Sequence, residues 1–424
     1  MIFLCLRFVF FYSSQKPYTD GQALFFETTL LSEPTVFGNT QRFSIKPDQK
    51  QQITITTTRF PELHYGDHIS VSGSVKKRLL QGKREIFVMQ YPTISYISNQ
   101  KSFDLLSIPI NFASIIRQKT IEIFDQTLSQ TESHLLLGIV FGIKLALPKT
   151  FNQNLQTSGV YHVITASGMN VVMLSGFVSS LFLLFLKRQH ALILTVLLML
   201  FYALLSGLSP SIVRASIMAA IAILAQIIGR QYKASYIVFL TGALMLLFDP
   251  GLLQDIGFQL SFLSTLGLIF IRPMFFVSST AKKLIEKSII GEEVLTTVSA
   301  QLATPPILLA NFGTYSLSSV LINGLVLWTV PILMFFGGIA ALIGLLLPFV
   351  AKLLLFLSAP LLWYFEKIVT DFPKVGSLSL DSFPWQMGIG YYLILIAIVI
   401  ATSNPSVKLR VNKQHETSKK QQKI

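Results

Sequence analysis

Apolar and polar positions divide the chain into two regimes. From Gly21 to Tyr96 the apolar residues come in short runs with period-two alternation, as expected for half-buried strands. Strands are predicted at Ala23 to Leu31, Gln41 to Ile45, Gln52 to Thr58, His68 to Ser74 and Glu85 to Gln90. The turns between them carry Gly38-Asn39, Pro47-Asp48, Tyr65-Gly66-Asp67 and Gln81-Gly82. Five short strands in one unit predict a small barrel. From residue 160 to residue 402 alternation gives way to long apolar runs near 160–186, 190–205, 211–229, 234–248, 257–271, 291–309, 317–346, 350–366 and 387–402. These runs predict a polytopic α-helical membrane protein with about nine transmembrane helices, preceded by a small all-β domain.

Between the regimes, Phe112 to Gln130 reads as an interfacial helix. Leu135 to Leu147, apolar but short and ended by Pro148, reads as a re-entrant or buried one. Met1 to Tyr12 is apolar apart from Arg7 and shorter than the ~20 residues a span needs. It is an interfacial anchor, a weak signal segment, or part of a membrane helix whose upstream residues are missing. The expected domains are a short apolar segment at 1–19, the barrel at 20–100, interfacial or re-entrant helices at 110–150, a transmembrane region at 157–403 and a basic tail at 404–424.

Composition agrees: 52% of residues are hydrophobic and 13% charged, with a mean hydropathy of +0.60, values that exclude an ordinary soluble domain. The formal charge of +14 changes meaning in this setting, because cytoplasmic loops retain Lys and Arg. One set of loops carries Lys187, Arg188, Arg230, Lys233, Arg272, Lys282, Lys283, Lys287 and Lys352, and the tail adds Lys408, Arg410, Lys413, Lys419, Lys420 and Lys423. The alternate loops hold Lys367 and Lys374 beside Asp249, Asp255, Glu366, Asp371 and Asp381. The first set is therefore expected in the cytoplasm, which places the C-terminus inside and the barrel outside the cytoplasmic membrane.

Chemistry in the barrel concentrates at one hairpin, where Lys76, Lys77, Arg78, Lys83 and Arg84 flank Gly82. They are candidates for tracking a phosphate backbone, against the plainer reading of a solvated hairpin tip. Phe43, Phe60, Tyr65, Phe87 and Tyr91 are each expected in the core. Within the spans, polar residues are costly and mark cavities or helix interfaces. His162, Ser167 and Asn170 of the first span can share one polar face, since the latter two project within about 140° of His162. Arg214 can pair with Asp255, one turn from Gln259, or each can reach the outer interface alone. Pro305, Pro306 and Pro331 inside apolar runs predict broken helices, and Gln301, Asn311 and Asn323 lie nearby.

Four stretches carry a resemblance. They are Ser158-Gly159-Val160-Tyr161-His162 through Ala166-Ser167-Gly168-Met169-Asn170; Gly207-Leu208-Ser209-Pro210-Ser211-Ile212-Val213-Arg214-Ala215-Ser216-Ile217-Met218; Asp255-Ile256-Gly257-Phe258-Gln259-Leu260-Ser261-Phe262; and Gln301-Leu302-Ala303-Thr304-Pro305-Pro306 with Asn323. In this order they resemble the competence domain of the ComEC-type DNA-uptake channels over residues 133–346. The Gly-Asp-x-Ile-x-Val-x-Gly stretch at 66–73 is similar to a strand of an oligonucleotide/oligosaccharide-binding (OB) barrel, and that family carries such a domain ahead of its helices. The resemblance implies a channel that carries single-stranded DNA across the membrane in natural transformation, with His162, Ser167, Asn170, Arg214, Asp255, Gln259, Gln301 and Asn323 at motif positions. It also implies a cytoplasmic helicase-like motor as partner, and it leaves a homo-oligomer open.

Many members of that family also carry a metallo-β-lactamase-like nuclease domain. The six histidines here, His64, His68, His134, His162, His190 and His415, form no His-x-His-x-Asp-His run, so no metal or cofactor is expected and a separate nuclease is. Asn170 stands where the motif often has His. No Gly-x-x-x-x-Gly-Lys-Ser/Thr loop occurs, and a non-enzyme is expected. An intramembrane serine protease is disfavoured because His162 and Ser167 lie five apart on one predicted helix. The alternative from a different class is a solute or lipid-type transporter with an OB accessory domain, which internal inverted repeats would support.

Overall fold

A computed structural model describes residues 7–9, 11, 13, 18–30, 34–37, 39–45, 47, 52–79, 85–96, 107–143, 145–164, 168–231, 233–276, 289–316, 319–372, 377–379 and 383–403. Its N-terminal part is a seven-stranded sheet of β1 (Ala23–Thr29), β2 (Thr35–Phe37), β3 (Thr40–Ile45), β4 (Ile53–Thr58), β5 (His68–Leu79), β6 (Glu85–Gln90) and β7 (Thr93–Tyr96). The path runs β1-β5-β6-β4-β3-β2, with β7 on β5. All neighbours are antiparallel except β4 and β6, which run parallel in the register Ile53↔Phe87 to Thr56↔Gln90. The five strands expected from alternation are present. β5 runs five residues further than expected, through Lys76 and Arg78 to Leu79.

Alternation explains the inner face: Phe43, Ile45, Ile53, Ile55, Ile69, Val71, Val75, Phe87 and Met89 are buried together with Tyr18, Leu30 and Leu63. Gly73 lies where β5 passes under Pro92 and Met89; an added Cβ would sit 2.9 Å from the proline ring. Two aromatic expectations are corrected. Phe60 and Tyr91 are exposed at 67% and 60%, because both lie in turns, where strand parity no longer decides which way a side chain faces.

The C-terminal part is helical: α1 (Ser107–Asp125), α2 (Gln130–Phe141), α3 (Lys149–Thr157), α4 (Tyr161–Ile164), α5 (Gly168–Phe185), α6 (Arg188–Leu205), α7 (Pro210–Ile227), α8 (Ala234–Phe248), α9 (Ile256–Phe270), α10 (Ile289–Ala303), α11 (Pro305–Phe312), α12 (Ser319–Val326), α13 (Thr329–Gly344), α14 (Pro348–Asp371) and α15 (Trp385–Ser403). Among the described residues, six helices are long and apolar enough to cross a membrane: α5, α6, α7, α9 with the 3₁₀ turn after it, α14 and α15. The pair α12 and α13, bent by 46°, is a broken span or a re-entrant loop, while α8 and residues 294–303 of α10 are apolar but shorter. A small sheet joins β8 (Thr314–Ser316) to β9 (Ser377–Ser379).

The centre of the helical part is α2. Ser129 and Glu132 form a capping box at its start, and every residue from Ser133 to Val140 is buried. A helix apolar all round can be satisfied only inside a bundle. Accordingly Leu135, Leu136, Leu137 and Ile139 share one core with Phe124 of α1, Leu333 of α13, and Leu355 and Phe365 of α14. Of the two expectations for this segment, buried is the one observed.

The sheet and the helices meet at a polar junction. The Tyr65 hydroxyl donates to the Leu204 carbonyl at 2.8 Å, Arg117 Nη1 donates to the Leu205 carbonyl at 3.2 Å, and the Arg117 guanidinium lies 4.9 Å from the Tyr65 ring centre. Burial raises the Tyr65 pKa above its usual value, with the Arg117 charge opposing, so the phenol stays a donor. At a second point Arg7 Nε reaches the Leu247 carbonyl at 3.3 Å. Both contacts fall at C-terminal helix ends, of α6 and α8, where cations complement the dipole.

Close crossing of α9 and α10 depends on Gly267, where an added Cβ would lie 2.5 Å from the Ser299 carbonyl oxygen and 2.9 Å from Ala303. Gly267→Val is expected to lower unfolding stability by about 1–3 kcal/mol through overpacking, checked by thermal unfolding in detergent. An unchanged midpoint would show that the two helices can separate freely.

Candidate functional site

The motif residues occupy three neighbourhoods. In the first, α7 begins at Pro210 and its fifth residue is Arg214, 5% exposed. Arg214 Nε donates to Ser261 Oγ at 2.9 Å and Nη1 to Thr265 Oγ1 at 2.8 Å, Nη2 donates to Ser261 Oγ, and Nη1 lies 3.2 Å from Met218 Sδ. Ser261 and Thr265 stand one turn apart on α9 and so present both hydroxyls to the same side. A Cβ at Gly168, the first residue of α5, would lie 3.1 Å from Arg214 Nη2. The guanidinium thus packs between α9 and the Gly168 backbone of α5.

The anticipated Arg214 pair with Asp255 is not formed. Asp255 caps α9, its carboxylate accepting from the Phe258 N–H at 2.8 Å, and Ser261 lies six residues, about 9 Å of helix rise, further along. Gln259 Nε2 donates to the Leu253 carbonyl at 2.7 Å and closes the 3₁₀ turn before α9. Asp255 and Gln259 shape the entry to α9, while Ser261 and Thr265 hold the arginine.

The second neighbourhood holds His162 and Asn170, with residues 165–167 between them outside the described residues. His162 lies in the single turn α4, its Nδ1 3.0 Å from the Gly159 carbonyl; since a carbonyl only accepts, Nδ1 carries the proton. Ser167 lies outside the described residues. Asn170, on α5, is 1% exposed and donates to the Ile139 carbonyl at 2.7 Å, while Tyr202 of α6 donates to the Val140 carbonyl at 2.6 Å. Both carbonyls belong to the last turn of α2, which has no further N–H to receive. Asn170 therefore caps a buried helix end, and His162 takes no part in that contact.

The third neighbourhood is the break at Thr304-Pro305-Pro306. Prolines at 305 and 306 remove the N–H groups that would serve the carbonyls of Gln301 and Leu302. Two tyrosines stand in for them: the Tyr315 hydroxyl lies 3.4 Å from the Gln301 carbonyl and Tyr391 donates to Leu302 at 2.7 Å, while Tyr392 donates to the neighbouring Ala303 carbonyl at 3.2 Å. Gln301 Nε2 donates to Ser319 Oγ. One turn beyond Ser319, Asn323 is 2% exposed and its Oδ1 has no donor, an unusual state for a buried amide oxygen.

Neither Tyr202 nor Tyr391 and Tyr392 was identified from the sequence; the only available signal was tyrosine inside otherwise aliphatic runs. On the β-domain, Lys76, Lys77 and Arg78 are exposed, whereas Lys83 and Arg84 lie outside the described residues. Lys76 and Arg78 face outward with Val88 and Ile86 opposite them. Arg42, Ser44, Thr54 and Thr56 continue that outer face across β3 and β4, and Arg42 Nε donates to Thr56 Oγ1 at 3.3 Å. Among the described residues, no group of three or more His, Cys, Asp or Glu side chains could hold a metal ion.

This architecture defines a polytopic helical membrane protein with a β-rich N-terminal domain. Residues 139–405, well over half of the chain, match the family described as Competence protein, and the chain belongs to that family. Among curated proteins, ComE operon protein 3 of Bacillus subtilis (strain 168) is 31% identical over 169 residues, 40% of this chain and 21% of that protein. An uncharacterized protein of Aquifex aeolicus (strain VF5) is 31% identical over 150 residues, 35% of each chain. The aligned regions thus span well under two thirds of either relative. No solved structure matches the chain. Family membership supports a role in competence DNA uptake.

Removing a tyrosine cap tests the account of the helix break. Tyr391→Phe is expected to destabilise by about 1–3 kcal/mol, the cost of leaving the Leu302 carbonyl without its donor in an apolar setting. Adding Pro305→Ala and Pro306→Ala, which restores N–H groups, should recover part of that loss in a thermal-unfolding cycle. Additive losses without recovery would show that Tyr391 acts elsewhere.

Proposed function

We propose that the chain is a channel that passes single-stranded DNA across the cytoplasmic membrane during DNA uptake, with Arg214 on its path. The observation that carries this reading is Arg214 itself, a cation buried among apolar spans whose hydrogen bonds go only to neutral groups. Ionisable groups at such positions are costly and mark ion or substrate routes. Two features of the second half of the domain support it: the broken span at Pro305 and the donor-less Asn323, since irregular backbone in a membrane belongs where protein or water can satisfy it. Ser167, His162, Asp255, Gln259 and Gln301 belong to the same proposed region, with Asn170 in a supporting place as a cap.

In this reading the β-domain is an OB-like barrel outside the membrane. Its Tyr65 meets the C-terminal end of α6, and Arg7 ahead of the sheet meets that of α8, next to the loops at 206–209 and 249–255, which hold no Lys or Arg, as extracytoplasmic loops should. The C-terminus is then cytoplasmic. The outer sheet face with Arg42, Lys76 and Arg78, its threonine hydroxyls, and the exposed Phe60 and Tyr91 beside the end of β4 offers phosphate contacts and stacking platforms for a single strand. A cytoplasmic motor drives the strand and a separate nuclease removes its complement.

Deletion is expected to abolish entry of labelled DNA into the cytoplasm of a transformable host. Wild type should restore it, and Arg214→Ala at matched membrane level should reduce it roughly tenfold or more, as for a lost charge-assisted contact of about 1.5–3 kcal/mol. Uptake that survives deletion would overturn the channel and favour a solute or lipid-type transporter. On the outer face, Arg42→Glu, Lys76→Glu and Arg78→Glu together should weaken oligonucleotide binding by the full chain in nanodiscs. The log–log salt slope should become shallower by about 2, at ~0.7 per phosphate contact on a single strand. An unchanged slope would place the DNA contacts elsewhere.

A further inference from the structure

The outward positions of β5 change character midway along the strand. His68, Ser70, Ser72 and Ser74 alternate with the core residues Ile69, Val71 and Val75, and beyond them the same parity brings Lys76 and Arg78. One strand therefore carries two outer surfaces. The basic one continues onto β3 and β4. The other continues onto β1 and β7, where the register places Thr93, Ser72 and Phe25 in one row and Ser95, Ser70 and Glu27 in the next. Phe25 is exposed at 70%. Glu27, Ser72, Ser74, Thr93 and Ser95 are exposed with it, and Ser70 Oγ donates to the Ser95 carbonyl at 3.4 Å. The junction with the helices is at the other end of β1, where the Gly66 N–H donates to the Leu30 carbonyl beside Tyr65. Phe25 stands five residues back from Leu30, about 17 Å of extended chain.

The chemistry of this face selects its occupant. A phosphate backbone brings negative charge, and here it would meet the Glu27 carboxylate and no Lys or Arg. An acyl surface or a lasting protein interface needs a contiguous apolar area with several anchors, whereas here one ring stands among hydroxyls. A neutral sugar matches every group. A pyranose ring has an apolar C–H face that packs on the face of an aromatic ring. Its rim of hydroxyls donates to a carboxylate and both donates to and accepts from serine and threonine.

We propose that the β1-β5-β7 face binds a neutral glycan chain, with Phe25 as the stacking platform and Glu27, Ser72 and Thr93 as the hydrogen-bonding rim. The inference goes with the placement of the β-domain outside the membrane, where such polymers lie, and does not depend on the channel. It gives the domain two ligands on two faces. Arg42, Lys76 and Arg78 take a polyanion, and the hydroxyl face around Phe25 takes an uncharged polysaccharide.

The test uses the full chain in phosphatidylcholine nanodiscs and two soluble neutral probes, N-acetylchitohexaose and cellohexaose, followed by calorimetry. Wild type should bind at least one of them saturably, and with little dependence on salt, since a neutral ligand releases no counterions. Phe25→Ala should weaken that binding about tenfold or more, the loss of one ring contact, and Phe25→Trp should keep it. Because the ring is exposed, both variants should match the thermal midpoint of wild type, which separates a lost contact from a lost fold. Oligothymidylate binding should be unchanged in Phe25→Ala, and hexasaccharide binding unchanged in the triple Arg42→Glu, Lys76→Glu, Arg78→Glu variant. The two faces are thereby tested apart. Saturable binding of neither probe, equal binding by wild type and Phe25→Ala, or displacement of the hexasaccharide by oligothymidylate would overturn the proposal. So would weaker self-association of Phe25→Ala with no glycan bound, which would make the face a contact between copies of the chain.

Discussion

Backbone carbonyls at helix ends inside an apolar bundle must find donors, and the helical part of this protein is arranged around that requirement. α2 ends in the middle of the core, where Gly142 turns the chain with φ 68° and its N–H returns to Gly138. Asn170 and Tyr202 serve the carbonyls of Ile139 and Val140. α10 ends at paired prolines, and Tyr315, Tyr391 and Tyr392 serve the three carbonyls exposed there. These caps tie α5 and α6 to α2, and α15 to α10, so hydrogen bonds decide helix neighbours where apolar side chains alone are poor discriminators, being equally content against lipid.

The same logic seats the β-domain. Tyr65 and Arg117 serve the end of α6 and Arg7 the end of α8, so the segments just before and after the sheet are both tied to the membrane part. The domain is placed by directional bonds beside the loops that lead into α7 and α9, the two helices that frame Arg214. A strand captured on the outer sheet face would reach those helices without the domain having to travel.

Arg214 gives the arrangement its functional asymmetry. Asn170, Tyr202 and Arg117 each donate to a carbonyl at a helix end. The Arg214 guanidinium instead is buried against two hydroxyls, Ser261 and Thr265. Structures keep such unfavourable placements where a ligand supplies the missing term. Asn323, buried without a donor for its oxygen, is a second place where the packing leaves a polar group unanswered. Both lie on spans adjoining α9 and α10, whose contact at Gly267 joins the two neighbourhoods.

The sequence by itself determined the two solvent regimes, the strands, the positions of the apolar spans and the break at Pro305-Pro306. Each of these is written in local periodicity or in the covalent geometry of proline, and needs no partner to be read. It also exposed Arg214 as a charge in the wrong solvent. Only the tertiary structure decided what each polar side chain meets. Arg214 finds Ser261 and Thr265 instead of Asp255 because helix register sets their heights. Asn170 meets the Ile139 carbonyl of α2, a partner 31 residues away in the chain. Phe60 and Tyr91 stand exposed because turns do not keep strand parity. A hydrogen bond between helices tens of residues apart depends on rotation and offset about axes, quantities that the order of residues along one helix does not contain.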